Sequence, residues 1–392
     1  MPKPKLIICT VGTSAANKTI AINLYNKADY PWDSVNPDGS DLWQQINKRI
    51  ADKFAETKGN DAFFKEASAE INSLHKIGIE KDDRIVLIST DTLQCRICAE
   101  ELQKLISRHF GLDKGNIEIK RIEGLQVHDG KLFRDKGLQN LIKTVIDGYI
   151  LNTQFQYSYD IILNPTGGFK GVVPFLTVLG MLFSCRTVYV YEFSNDLINL
   201  PPLPFSIDGD IYLRVREALK IFKTEVAITK EAFLSKIKHY DKDEENLFLS
   251  FTEPYPDEPG KITLSALAYC LTTIDDPDPY CYIAKPALEK FNEIKDKNKK
   301  DIIETLINNC ADPIWRSMKA HSFTGTDLLV IKPGNTPERL AGLMKDNKFH
   351  VAVIFTDHKE YEKELPKYSK KAALGYAFEE WHVNQHEREI AD

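Results

Sequence analysis

The 392-residue chain reads as an α/β protein: an open, mostly parallel sheet wound by helices on both faces, followed by smaller modules. Three observations predict this. From residue 1 to about 205, short β-branched runs alternate with stretches of helical periodicity. The clustered prolines of "NLPPLPFSIDGD" (199–210) then end the alternation, because they continue neither a helix nor a central strand. Beyond them the order of elements changes.

The strand-like runs are "KLIICT" from Lys5, "RIVLIST" from Arg84, "NIEIKRI" from Asn116, "YDIILN" from Tyr159 and "RTVYVYEF" from Arg186. Between them, "DLWQQINKRIADKF", "ICAEELQKLISRHF" and "GLQNLIKTVIDGYI" repeat apolar residues at helical spacing. The longest apolar stretch, "VVPFLTVLGMLFS" from Val172, contains a proline, is too short to span a bilayer, and is expected as a core helix.

Residues 211–280 hold helix-like "LRVREALKIF", "ITKEAFLSKIKHY" and "TLSALAYCLTTI" around a polar "TEPYPDEPGK", the outline of a small winged-helix connector. From 281 to 392 the order is a strand, two short helices ("KPALEKFNEIKDKNKKDIIETLINN"), then strands in "TDLLVIKPGN" and "ERLAGLMKDNKFHVAVIFTDHKEY", with Asp346-Asn347 as the hairpin turn. The polar tail from Leu365 ends in "KAALGYAFEEWHV", expected to be helical.

A net charge of −6 excludes wholesale electrostatic attraction to nucleic acid, so any RNA contact must come from a local patch. Seven cysteines in no disulfide-scaffold spacing, with no signal peptide at "MPKPKLIICT", fit a reducing cytoplasm. Cys95 and Cys98 form a lone CxxC within a helical pattern, and no second pair completes a zinc site. No metal is expected.

In an open parallel sheet, ligands settle at the carboxyl ends of the strands. There the first strand runs into "TVGTS", where Gly12 permits a tight turn and Thr13 and Ser14 offer hydroxyls. The fourth runs into "NPTGGFKG", where Gly167 and Gly168 let amides approach an anion and Lys170 adds a charge. "STDTLQ" follows the second. Each loop alone is equally well a strand-to-helix cap; three at one end of one sheet favour a ligand pocket. Neither GxxxxGK[ST] nor GxGxxG is present, so nucleotide hydrolysis and hydride transfer have no motif support.

Together "VGTS", "IEGLQ" with "GLQNL", "NPTGGFKG" and "YVYEFSNDLINLPPLPFSID" resemble the CARF sensor domains of type III CRISPR systems, over residues 1–210. That resemblance implies a Rossmann-like fold, a two-fold homodimer, and a cyclic oligoadenylate bound across its axis as activator. Cyclic tetra-adenylate is the ring expected, although the residues themselves leave tetra- and hexa-adenylate open. The ligand-facing positions it implies are Thr10, Gly12, Thr13 and Ser14; Asp91 and Thr92; and Asn164, Thr166, Gly167, Gly168, Phe169 and Lys170.

For the last third there are two enzymatic readings. In "RSMKAH", Arg316 and His321 match the R-x4-H spacing of HEPN ribonucleases, which cut free RNA; but that fold is helical, and strand-like sequence follows. The order of elements and "FTDHKEYEK" are instead similar to RelE and HigB toxins, α+β mRNA interferases. That resemblance implies metal-independent cleavage by ribose 2′-OH attack. Carried over residue by residue, Lys332 orients or deprotonates the nucleophile, Arg339 offsets phosphate charge, and His358 protonates the leaving oxygen. Tyr361 is expected to stack on a base, and Lys359 to contact phosphate.

Residues 284–392 hold 18 Lys plus Arg and 18 Asp plus Glu, whereas these toxins are usually basic, so unaided RNA affinity is expected to be low. That suits an enzyme acting on mRNA presented by the ribosome, which would supply binding energy and order the substrate. The expected whole is a cytoplasmic, ribosome-dependent mRNA interferase of antiviral defence with no membrane partner. A CARF transcriptional regulator binding DNA through "ITKEAFLSKIKHY" stays open as the non-enzymatic alternative.

Overall fold

The computed structural model describes residues 3–20, 30–35, 42–56, 61–156, 158–191, 196–200, 209–272, 280–323, 325–332, 336–346 and 348–383. The chain forms two compact units: Met1–Phe205 with Leu219–Thr273, and Ser206–Ala218 with Ile274–Asp392. Among the described residues, no helix is long and apolar enough to cross a membrane.

The first unit is built on a six-stranded sheet. Its strands are β1 (Lys5–Thr10), β2 (Arg84–Ser89), β3 (Ile117–Arg121), β4 (Asp160–Asn164), β5 (Arg186–Val190) and β6 (Leu197–Leu200), in the order β3-β2-β1-β4-β5-β6. The first five are parallel and β6 closes the sheet antiparallel on β5. β1 and β2 are buried for nearly their whole length, which is why they read as unbroken apolar runs. The chain order reverses between β1 and β4, the position at which an open α/β sheet offers a ligand crevice.

The helix Leu93–Phe110 starts where Thr92 caps the Cys95 amide and ends at Gly111, whose φ of 67° is left-handed. Cys95 and Cys98 are buried free thiols on it, as the sequence predicts. The apolar helix Val173–Leu182 departs from expectation: it buries Leu176, Leu179 and Gly180 on one side only, because a single face meets the sheet and the helix Ala266–Thr272. The same unit holds a three-stranded antiparallel sheet, β7 (Ile228–Thr229), β8 (Thr252–Pro254) and β9 (Lys261–Leu264), in the order β7-β9-β8.

The second unit carries a mixed sheet of β10 (Tyr280–Ala284), β11 (Ala320–Ser322), β12 (Leu329–Ile331), β13 (Arg339–Lys345), β14 (Lys348–Phe355) and β15 (Phe378–His382), ordered β11-β12-β13-β14-β10-β15. β10 and β14 are parallel and every other pair is antiparallel. Helices Lys285–Glu293 and Lys297–Asn309 follow β10 as expected; residues 294–296 join them, and Asp296 caps the second. Asp346 takes a φ of 52° at the β13–β14 turn, and Asn347 lies outside the described residues.

The tail is not the helix that its composition suggests. Among its described residues only Lys370–Ala373 is α-helical, after a 3-10 turn at Leu365–Lys367, and Phe378–His382 pairs antiparallel with β10. Without that pairing β10 would be an open edge with unmatched amides and carbonyls. Trp381 fastens the added strand, packing edge-on to Phe291 at 5.1 Å and donating to Asn308 Oδ1 at 2.8 Å. A buried ion pair links the two stretches of this unit: Arg216, on the helix Gly209–Ala218, bonds Asp312, which also caps the helix Pro313–Lys319 through the amides of Ile314 and Trp315 at 2.9 and 3.0 Å.

Candidate functional site

Two places concentrate polar groups. In the first unit, the loops after β1 and β4 meet backbone to backbone: a Cβ added at Gly12 would stand 2.7 Å from Gly168 Cα, and Gly168 itself has a φ of +86°. Only glycine satisfies both positions. On one side of this contact lies a cavity of about 1200 Å³, lined by Thr13, Ser14, Thr166, Gly167 and Lys170, with Lys65, Glu66 and Asn72 opposite. On the other side is one of about 370 Å³, lined by Thr13, Thr92, Cys95, His128, Phe169 and Lys170. Lys170 reaches both, and among the described residues its ammonium has no hydrogen-bond partner.

Three of the predicted ligand positions instead hold the loops in place. Thr10 is buried and donates to the Gly167 carbonyl. Asn164, fully buried, donates to Ser73 Oγ at 2.7 Å and accepts from Thr166 Oγ1 at 2.7 Å. Asp91 accepts from Arg121 Nε at 2.6 Å and from the Gly124 amide at 3.0 Å, tying down the loop after β3, and lines neither cavity.

A residue that the sequence reading passed over sits at the centre. Glu70, fully buried on the helix Ala69–Ile77, accepts from the Gly12 amide at 2.9 Å and the Ser14 hydroxyl at 2.7 Å. Two donors assigned to a ligand phosphate are thus already engaged by a carboxylate, and Thr13 is the hydroxyl of "TVGTS" left facing the space. Gly167 makes the room, since a Cβ there would lie 2.5 Å from Glu70 Cδ. Burial pushes the Cys9 and Cys95 thiols up, so neither offers a ready thiolate here.

The second place is on the sheet of the second unit. Ile331 pairs with Leu340, and Lys332 follows at the strand end, its amide donating to the Lys319 carbonyl at 3.2 Å; Lys332 and Arg339 therefore come side by side. Arg339 is half-buried, and its guanidinium donates to the carbonyls of Thr336 and Glu338, the latter at 2.6 Å. Burial lowers its pKa, opposed by Tyr361 and Glu338.

Tyr361 is 3% exposed, its ring packed on Phe323 at 5.1 Å and Phe355 at 5.6 Å, which leaves no face for a base and corrects the stacking role. Its hydroxyl is buried with no hydrogen-bond partner among the described residues. His358 and Lys359 open the helix His358–Glu364, exposed, capped by Asp357 through the amides of Lys359 and Glu360. The His358 ring stands 6.0 Å from that of Tyr361. The five predicted positions thus occupy one end of this sheet and the helix lying on it.

The HEPN-like pair does not converge. Arg316 is 7% exposed inside the unit, donating to the Cys310 carbonyl at 2.7 Å, while His321 is exposed on β11.

Residues 65–203 match the model of a family described as "CRISPR-associated protein (Cas_APE2256)". The match takes in β2 to β6, Glu70 and the whole "NPTGGFKG" loop, and it supports a CRISPR-associated role for this part of the chain. No curated protein matches the chain.

Proposed function

We propose that the protein is a cyclic-oligoadenylate-activated endoribonuclease of CRISPR defence: a homodimeric CARF-like sensor in the first unit and a RelE-like mRNA interferase in the second. The observation that carries the enzymatic part is the convergence of Lys332, Arg339, Tyr361 and His358 at one end of a single sheet. Two cations, a buried hydroxyl and an exposed imidazole suit in-line attack of a ribose 2′-OH. The nucleophile is already in the substrate, so the protein has only to move protons and offset charge. The sensor part is supported by the family match, the cavity of about 1200 Å³ at the β1/β4 switch point and the Lys170 that lines it.

The test combines purified protein, cyclic tetra-adenylate with the hexa-adenylate as comparison, and either free RNA or translating ribosomes. The expected result is cleavage only with activator and ribosomes, abolished by Arg339→Ala with ligand binding retained. Cleavage of free RNA lost in Arg316→Ala would overturn the reading in favour of the HEPN-like one. Duplex DNA binding without cleavage would favour a regulator.

A further inference from the structure

We infer that His321 is the general base of the cleavage, taking the proton from the attacking 2′-hydroxyl; this rests on the interferase reading above. Strand register places it. His321 pairs with Val330, Val330 with Ala341 and Ala341 with Val353, and paired residues of antiparallel strands point to the same face. Val330, Ala341 and Val353 belong to one apolar cluster with Phe355 and Tyr361. His321 is therefore the outermost member of the row facing Tyr361, on the face that also carries Arg339, which pairs with Phe355, and Lys332.

Two residues further along, Phe323 touches the Tyr361 ring at 5.1 Å, with His358 6.0 Å from the same ring. One imidazole thus stands beside this buried hydroxyl, which has no hydrogen-bond partner among the described residues, and a second lies on the same face with the cations around it.

The charged groups facing His321 are Lys332 at the end of β12, Arg339 on β13 and Lys319 at the end of the preceding helix. Partial desolvation of the ring first, and then these three cations, hold its pKa below the ordinary histidine value. The neutral imidazole, the form that accepts a proton, is accordingly the resting one near pH 7.

In the step, the 2′-O–H proton passes to His321 and the freed electron pair forms the 2′-O–P bond. The P–O5′ bond breaks with its pair going to O5′, which takes a proton from the imidazolium of His358. The products are a 2′,3′-cyclic phosphate and a 5′-hydroxyl, and both histidines return to their starting states by exchange with water.

The experiment uses the full chain with cyclic tetra-adenylate and ribosomes programmed with synthetic mRNA. At the linkage the wild type cuts, the bridging 5′-oxygen is kept or replaced by sulfur, which leaves without an acid. His321→Ala is expected to slow cleavage of both substrates by about 100-fold or more. His358→Ala should be slow on oxygen and recover on sulfur. The wild-type rate should fall in acid as His321 protonates, and the residual rate of His321→Ala should lack that limb.

Because His321 is exposed, the melting temperature of the variant should match the wild type. Recovery of His321→Ala on sulfur, or unimpaired cleavage by it, overturns this inference alone. No cleavage by the wild type with either activator ring removes the interferase reading and the inference with it.

Discussion

The contact of Gly12 with Gly168 allows a quantitative test of how the cavity beside it is held. In Gly12→Ala the new methyl would stand 2.7 Å from Gly168 Cα and 2.8 Å from its nitrogen, both backbone atoms that no rotamer change moves aside. The two loops must separate by several tenths of an ångström. Overpacking of this kind costs about 1–3 kcal/mol, which for a unit of this size lowers the melting temperature by roughly 2–12 °C. If the separated loops also lose their grip on an anion, the same free energy weakens cyclic tetra-adenylate binding about 5- to 150-fold. Gly148→Ala is the control: its methyl would meet nothing within 4 Å, and it should be neutral or stabilise by up to about 1 kcal/mol. Scanning calorimetry and titration of the ring into the three proteins read both effects. If Gly12→Ala melts with Gly148→Ala and binds as the wild type does, the loops are not locked together and the cavity is not shaped by their contact.

Three further outcomes follow from the second unit. Arg216→Met strands a buried Asp312 carboxylate and should destabilise by about 3–5 kcal/mol in urea; a loss below about 1 kcal/mol would mean that Asp312 is not isolated. Asp357→Ala should lower the melting temperature at neutral pH. The amides of Glu360 and Lys359 hold this carboxyl below its usual pKa, so its contribution is present above about pH 4 and disappears as the pH falls through the lowered folded-state pKa; variant and wild type should converge in stronger acid. His350, stacked on Tyr282 at 4.5 Å, has its pKa lowered mainly by burial. The unfolded chain therefore binds its proton more readily, and stability should fall as pH drops from about 7 to 5. His350→Phe should flatten that slope, and an unchanged slope would assign it to other groups.

How much was legible in the sequence depended on what each element faces. β1, β2 and β4 are central strands, and their β-branched runs predicted them to within a residue. β11 has three residues and β15 alternates polar positions at a sheet edge, so neither carries a hydrophobic signature; the tail was read as a helix for that reason. The glycine-bearing loops announced a crevice, but Glu70 sits in the first turn of its helix in "SAEINSLHKI", where an acidic residue reads as ordinary helix-end chemistry, although it occupies two of the loop's donors. His321 was visible only as part of a spacing with Arg316. It takes the register of four strands to turn it toward Tyr361 instead.

The ion pair between Arg216 and Asp312 has a bearing on how such a chain is made and inherited. One half of it leaves the ribosome almost a hundred residues before the other, with a whole stretch of the first unit translated in between. A nascent chain therefore cannot close this ion pair until Asp312 has followed the intervening stretch of the first unit out of the ribosome. For the same reason the second unit cannot be gained or exchanged by recombination at a single join, because residues 206–218 would have to travel with it.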